Sequence, residues 1–131
     1  MKILAVETSC DETGVALIEF SKKWPPSFKI LAENLLSQIK IHKKWGGVWP
    51  TLAKREHQKN LVPLTLKTLK DAHFLIPKKE KISSEKLNYL KSFFKEEEKD
   101  FFKKTIKFLS SYQKPKIDFL AITIGPGLEP C

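Results

Sequence analysis

The chain has 131 residues, of which 41% are hydrophobic, so it can bury one ordinary core and is not globally disordered. Its apolar runs are too short to span a membrane and its two cysteines too few for a disulfide framework, which predicts a soluble, cytoplasmic protein. The net charge of +9 suggests a polyanionic partner such as nucleic acid. Segment 77–116, however, carries twelve basic residues against six acidic ones, and such a segment is usually a solvated face.

The first predicted elements are three strands. Residues 2–8 and 14–20 are apolar runs on either side of a polar turn, and the first is apolar almost throughout, as in a strand buried on both faces. Residues 22–27 contain two prolines and are predicted as a loop, and residues 29–38 form a further apolar run that Asn34 interrupts. These three strands would form an antiparallel meander.

A helix is predicted to begin at Pro50, because proline suits the first helical turn, and to end near Ala72. Residues 39–48 before it are predicted as a loop. One face of this helix collects the side chains of Ala53, His57, Leu61, Leu64 and Thr68. Pro63 interrupts the pattern, which predicts a kink or two short helices rather than one straight rod.

Segment 77–116 is predicted to be a long amphipathic helix or a helical hairpin. Ser83 or Ser84 can cap its start, and Glu85 suits its first turn. Its apolar stripe consists of Leu87, Leu90, Phe94, Phe101, Phe108 and Tyr112. Such a stripe is more often buried packing than a ligand site.

The last predicted element is an apolar strand at residues 117–124, with Asp118 at its start. A glycine-rich turn follows, and such a turn after a buried strand often opens a helix whose free amides face an anion. Gly125 and Gly127 are therefore candidate phosphate contacts, although two glycines alone are a weak signal. The chain stops at Cys131 before any such helix, so we expect an N-terminal piece of a longer protein.

The turn between the first two predicted strands holds the best candidates for chemistry. The adjacent carboxylates of Asp11 and Glu12 repel each other unless a cation or hydrogen-bond donors offset their charge, which favours a functional site. Ser9 and Thr8 can either contact a phosphate or satisfy the backbone of the turn. The alternative interpretation is a polar hairpin loop with no further role.

The histidines give no sign of a metal site, because their spacing matches no metal motif. His57 lies on the apolar face of the predicted helix, where a single histidine is more often a packed or capping residue than a ligand. The sequence contains no Walker A lysine motif, Cys-x-x-Cys or Gly-x-Ser-x-Gly.

Three blocks, taken together and in order, resemble a known family and cover most of the chain outside 77–116. They are residues 1–14, with Glu7-Thr8-Ser9-Cys10-Asp11-Glu12-Thr13-Gly14; residues 37–57, with Trp45-Gly46-Gly47-Val48-Trp49-Pro50; and residues 118–128. The sequence is similar to the universal tRNA threonylcarbamoyladenosine synthases, the TsaD/Gcp family, formerly called glycoproteases.

The resemblance implies an α/β protein with the actin-like, sugar-kinase-like ATPase fold, built from two ribonuclease-H-like halves. Residues 1–131 would be the N-terminal, incomplete part of the first half. Segment 77–116 would be a Lys-rich helical insertion that packs at the domain edge or, less favoured, a basic arm that meets tRNA. The implied reaction transfers a threonylcarbamoyl group from threonylcarbamoyl-adenylate to N6 of adenosine 37 in tRNA, and the isolated chain should be inactive.

Individual roles follow from the resemblance only where residues match. The expected catalytic residues are Asp11, Glu12 and Ser9. The expected phosphate-side residues are Thr8, Gly125 and Gly127. Positional or RNA-facing roles are expected for His42, Arg55 and His57. Family members usually carry Glu at the position of Thr51 and Ser at that of Lys54. The glutamate of the family therefore has no counterpart at position 51 of this chain.

The expected cofactor is iron or zinc, but the metal-binding His-x-x-x-His of the family would lie beyond Cys131, so no metal ligand is assigned to this chain. The expected nucleotide is threonylcarbamoyl-adenylate or an ATP-like ligand. The expected partners are tRNA, an inactive paralogue of the same fold (TsaB-like) and a small ATPase (TsaE-like), with no membrane involved.

Three other functions remain as alternatives. A non-catalytic paralogue or truncated scaffold would share the fold, but Asp11, Glu12 and His57 favour the catalytic branch. A metalloprotease would need a zinc-hydrolase site, which this sequence does not complete. An actin-like sugar kinase would be expected to open with an Asp-x-Gly-type loop, which is absent.

Overall fold

The computed structural model describes residues 1–78, 82–125 and 127, and it is a mixed α/β structure around one four-stranded sheet. The strand order across the sheet is β3-β2-β1-β4. The strands are β1 (Lys2–Glu7), β2 (Glu12–Ser21), β3 (Ser27–Ser37) and β4 (Phe119–Ile122). The first three pair antiparallel, so the predicted meander is confirmed, and β4 joins the free edge of β1 in parallel.

The core lies between one face of the sheet and the helix α2 (Pro50–Asp71). Alternate residues of a strand point to the same face, so Leu4 of β1 lies beside Leu17 of β2, its partner in the register. Both are buried against Leu64 and Leu69 of α2. The hydrophobic contact therefore holds α2 against this face of the sheet.

Pro63 does not break α2, so the prediction of two short helices is wrong. Proline removes the amide that would bond to the carbonyl four residues earlier, at Lys59. The ammonium of Lys104 donates to that carbonyl oxygen over 3.1 Å. Val62 and Leu64 on either side of the proline are buried, so tertiary packing and this substitute hydrogen bond hold the helix together.

Residues 39–48, predicted as a loop, contain a helical turn α1 (Ile39–His42) followed by a 3₁₀ turn (Lys43–Trp45). The amide of His42 donates to the Gln38 carbonyl over 3.1 Å. Gly46 ends the segment with φ +72°, a conformation that glycine adopts without strain. The loop prediction is wrong because a buried histidine, rather than an apolar pattern, anchors this turn.

Segment 77–116 contains two helices rather than one, α3 (Ser84–Lys91) and α4 (Lys99–Ser111), with a 3₁₀ turn at Glu96–Glu98. The hydroxyl of Ser83 accepts a hydrogen bond from the Lys86 amide at 3.3 Å, as expected of the predicted cap. Phe108 packs against the core, which confirms the packing role of the stripe at this residue. No helix within the described residues is long and apolar enough to cross a membrane.

The opposite face of the sheet has no helix packed against it among the described residues. Of β1, only Leu4 is buried, so the prediction of a strand buried on both faces is wrong for this structure. The strand β4 lies within residues 117–124, whose apolar pattern predicted a strand. It forms an edge of the sheet, and its side chains are exposed. Phe119, for example, is 54% exposed.

Candidate functional site

The candidate site lies at the carboxyl ends of β1 and β4. These strands are parallel neighbours, so the segments that follow them leave the sheet at the same edge. Residues 8–11 follow β1, and Gly125 and Gly127 follow β4. Ligands of open α/β sheets bind outside the carboxyl ends of strands, so this is the expected position for a binding crevice. We call these two segments the strand-end site.

The two segments touch at Ser9 and Gly127. A Cβ atom placed on Gly127 would lie 3.0 Å from the Ser9 carbonyl oxygen and 3.1 Å from the Ser9 Cβ. Any side chain at this position would therefore push the segments apart. Gly125 has a φ of +155°, which disfavours residues with a side chain, although the space around its Cβ position is open.

Glu7, at the end of β1, joins the parts of the site together, and sequence reasoning did not identify it. Its carboxylate accepts a hydrogen bond from the Ser9 amide at 2.7 Å and further hydrogen bonds from the hydroxyls of Ser9 and Thr123. Burial alone would raise the pKa of Glu7, but these hydrogen bonds outweigh it and hold the pKa below its ordinary value. The available signal was an acid at the last position of an apolar strand.

Asp11 lies in the strand-end site and Glu12 follows it as the first residue of β2, and the contacts of both carboxylates differ from those of Glu7. Within the described part of the chain, neither carboxylate has a hydrogen-bond or ion-pair partner. Both residues are half-buried. The backbone beneath them is held, because the Gln38 amide donates to the Asp11 carbonyl at 2.8 Å. The arrangement leaves two carboxylates on a fixed backbone, available to a substrate group or water.

Behind this turn lies the buried histidine network, which comprises Thr13, Gln38, His42 and His57. Their exposed fractions are 0%, 1%, 3% and 6% respectively. His57 Nε2 lies 3.0 Å from the carbonyl oxygen of Cys10. A carbonyl only accepts, so Nε2 carries the proton and, in the neutral ring, Nδ1 accepts from the Thr13 hydroxyl at 2.8 Å.

The second half of the network continues this order of donors and acceptors. The Trp49 amide donates to His42 Nδ1 at 3.2 Å, so the proton of that ring is on Nε2, which donates to Gln38 Oε1 at 2.9 Å. The Gln38 amide nitrogen, in turn, faces His57 Nδ1 at 3.4 Å. The network thus connects the start of α2 to the turn that bears Asp11, through residues that sequence reasoning did not select, Thr13 and Gln38.

The three residues expected to have positional or RNA-facing roles are therefore divided between the interior and the surface. His42 and His57 are buried and offer no ring face to RNA, whereas Arg55 is exposed. The Thr8 side chain makes no hydrogen bond with any other residue that the structure describes. No group of three or more His, Cys, Asp or Glu in the described ranges is arranged to hold a metal ion.

Comparison with known proteins shows which family the chain resembles. The sequence model described as TsaD: tRNA N6-adenosine threonylcarbamoyltransferase matches residues 29–83. A protein named tRNA N6-adenosine threonylcarbamoyltransferase from Francisella tularensis subsp. novicida (strain U112) is 49% identical over 71 residues, which are 54% of this chain and 20% of that protein. One of the same name from Persephonella marina (strain DSM 14350 / EX-H1) is 46% identical over 72 residues, 55% of this chain and 19% of that protein.

The family resemblance predicted from the motifs is thus confirmed: the chain is similar to the TsaD proteins. It spans about a fifth of the length of the curated relatives that it matches. The matched residues 29–83 include most of β3 and all of α1 and α2, and therefore Gln38, His42 and His57 of the buried histidine network.

Proposed function

We propose that this chain supplies the N-terminal part of a tRNA N6-adenosine threonylcarbamoyltransferase with the actin-like fold. In this proposal its four-stranded sheet belongs to the first ribonuclease-H-like half, and segment 77–116 is an insertion in that half. The observation that carries it is the close approach of two strand-end segments at Ser9 and Gly127, in a chain that matches TsaD over residues 29–83. The carboxylates of Asp11 and Glu12, which follow Ser9 in the sequence, have no partner among the described residues. The protein would act in the cytoplasm.

In the proposed reaction, N6 of adenosine 37 attacks the carbamoyl carbon of threonylcarbamoyl-adenylate. The bond from that carbon to the phosphate oxygen breaks, AMP leaves, and the attacking nitrogen gives up one proton. Asp11 and Glu12 would orient the amine or an ordered water and favour loss of the proton. The Ser9 hydroxyl, which donates to Glu7 in this structure, would stabilise the loop or turn towards the substrate.

The phosphate side of the site would be formed by Thr8 and by the backbone at Gly125 and Gly127. The close approach of Gly127 to Ser9 supports this role, because a side chain there would fill the space between the two segments. Backbone amides in such turns can hold a phosphate. Iron or zinc in the complete enzyme would polarise the reacting groups, but its ligands are expected outside this chain, so the roles of these residues do not depend on it.

Further partners follow from the same proposal. The complete enzyme would act on tRNA and assemble with a TsaB-like paralogue and a TsaE-like ATPase. His42 and His57 would have a positional role, because the buried histidine network holds the backbone of residues 10 and 11 through the Cys10 and Asp11 carbonyls. Arg55, which is exposed, would face RNA.

A chimera tests the proposal. Residues 1–76 of this chain would replace the matching segment of the Francisella tularensis relative, and N6-threonylcarbamoyladenosine would be measured by mass spectrometry in tRNA from cells depleted of their own enzyme. We expect the chimera to restore the modification. Asp11→Asn or Glu12→Gln should lower the transfer rate by about 100-fold, the size typical of losing one stabilising group. The exposed Glu33 provides the matched control, Glu33→Gln, which should not change the rate.

Two outcomes would contradict the proposal. A chimera that unfolds cooperatively but supports no modification would favour the non-catalytic paralogue. Full activity of both the Asp11→Asn and the Glu12→Gln variants would remove these carboxylates from the chemistry.

A further inference from the structure

A second surface, next to the strand-end site, combines exposed indoles with uncompensated positive charge. Residues 39–55 contain five basic side chains and no acidic one. The five basic residues are Lys40, Lys43, Lys44, Lys54 and Arg55. Within the described part of the chain, none of these cations has an ion-pair partner. We call these five cations together with Trp45 and Trp49 the aromatic-basic surface.

The two tryptophans on this surface are exposed, and the backbone of Trp49 is held in place. Trp45 is 61% exposed and Trp49 is 50% exposed, and their ring centroids lie 5.0 Å apart with the planes at 63°. The backbone of Trp49 is fixed on both sides, because its amide donates to buried His42 and its carbonyl accepts from the Ala53 amide at 2.9 Å. Large apolar side chains exposed together on a rigid frame usually mark a binding surface.

We propose that the aromatic-basic surface binds unpaired RNA, with bases stacked on Trp45 and Trp49 and the surrounding cations on the phosphates. Aromatic side chains accept any base through its π-face, and lysines neutralise the backbone. The inference rests on the proposed function. N6 of an adenine must be unpaired before it can react, so an enzyme acting there must bind unpaired nucleotides.

The position of the surface agrees with this role. Gln38, immediately before α1, donates its amide proton to the Asp11 carbonyl, and Trp49 bonds to His42 of the same buried histidine network. The surface and the carboxylates are therefore attached to one rigid unit. Segment 39–55 offers five cations and no acidic side chain, so its charge complements that of a polyanion.

The test uses the 131-residue chain and a fluorescent oligouridylate of about 12 nucleotides, followed by anisotropy. Trp45→Leu/Trp49→Leu keeps apolar bulk but loses the π-faces, and we expect about tenfold weaker binding. Trp24→Leu is the matched control: this residue is 91% exposed beside Lys22 and Lys23, but it lies between β2 and β3 at the other end of the sheet. It should leave the affinity unchanged.

Two further measurements separate stacking from charge. An abasic oligonucleotide of the same length should bind the native chain about as weakly as the oligouridylate binds the double variant. Lys43→Ala/Lys44→Ala should reduce the slope of log K against log salt by about 1.4, because each of two contacted phosphates of a single strand contributes roughly 0.7.

The inference is overturned if the double tryptophan variant binds as tightly as the native chain, or if the abasic strand binds as well as the oligouridylate. Tryptophan-dependent self-association in sedimentation experiments would instead identify an interface between copies of the chain, and would also overturn it. Oligouridylate contains no acceptor adenosine. Binding can therefore succeed or fail independently of threonylcarbamoyl transfer, and the two proposals are judged separately.

Discussion

The buried histidine network and segment 84–111 are both rich in polar side chains, but they use them in opposite ways. In the network, polar groups are buried and hydrogen-bonded to one another, in part across long sequence separations such as that of Thr13 and His57. In segment 84–111, every lysine except Lys104 is exposed, and aromatic contacts such as that of Phe94 with Phe101 do the packing. Polar residues thus carry the most structural information where they are buried, because burial there requires a defined partner.

The largest expected effect is the loss of His57. His57→Leu would have a similar volume but would leave the Thr13 hydroxyl and the Cys10 carbonyl without their partner, which should lower the free energy of unfolding by about 3 kcal/mol. Urea denaturation followed by circular dichroism measures this. His73→Asn is the matched control, since His73 is exposed and asparagine tolerates its φ of +60°. Equal stability of the two variants would mean that the network does not hold the turn.

A smaller effect is expected at Glu7, and it depends on pH. Its pKa is lowered in the folded state, so the anion contributes stability above the unfolded pKa, and this contribution is lost as pH falls through the folded pKa. Glu7→Gln should therefore lower the free energy of unfolding by about 1–2 kcal/mol at neutral pH and flatten its decline below about pH 4.3. Denaturation curves between neutral and acid pH measure both effects.

Asp71 provides the control for that experiment. Hydrogen bonds from Lys67 and Asn34 lower its pKa in the same direction, but Asp71 is an exposed residue. If Asp71→Asn removed the acid dependence and Glu7→Gln did not, the assignment of that dependence to the strand-end site would be wrong.

The smallest expected effect is at Lys104, a lysine of segment 84–111 that has a defined hydrogen-bond partner, as the polar groups of the network do. Lys104 donates to the Lys59 carbonyl that Pro63 leaves without an amide partner. Lys104→Met should lower the free energy of unfolding by about 1 kcal/mol, the net contribution of an ordinary hydrogen bond. Lys103→Met, at an exposed position one residue earlier, should have almost no effect.

A double-mutant cycle sharpens this prediction. Pro63→Ala restores an amide that can bond to the Lys59 carbonyl, so Lys104→Met should have much less effect in that background. The same loss in both backgrounds would show that Lys104 acts through its packing and not through this hydrogen bond.

The sequence predicted the elements whose signals are local. The meander, the start of α2 at Pro50 and the Ser83 cap follow from apolar runs and from backbone preferences of single residues, and the structure confirms them. The α1 turn was missed because no apolar period marks it. Its anchor is the buried His42, whose partner Gln38 cannot be distinguished from a surface glutamine in a sequence.

The candidate site was predicted to a similar extent. Asp11 and Glu12 were selected as candidates by their adjacency and by the family resemblance, whereas Glu7 looked like the polar start of a turn. Its role depends on Thr123, which lies 116 residues away and comes close only when β4 pairs with β1. Local patterns cannot predict such a contact, because the tertiary fold creates it.

The parallel pairing of β1 with β4 also determines when the site can exist during synthesis. The meander and α2 are built from residues 2–71 and can begin to fold as soon as these leave the ribosome, since their loops are short and their entropy of closure is low. The hydrogen bond from Thr123 to Glu7 cannot form until Thr123, which lies 116 residues later, has been synthesised. We expect Asp11 and Glu12 to reach their positions early, on a scaffold that has already folded, while the crevice beside them forms only after β4 has paired with β1.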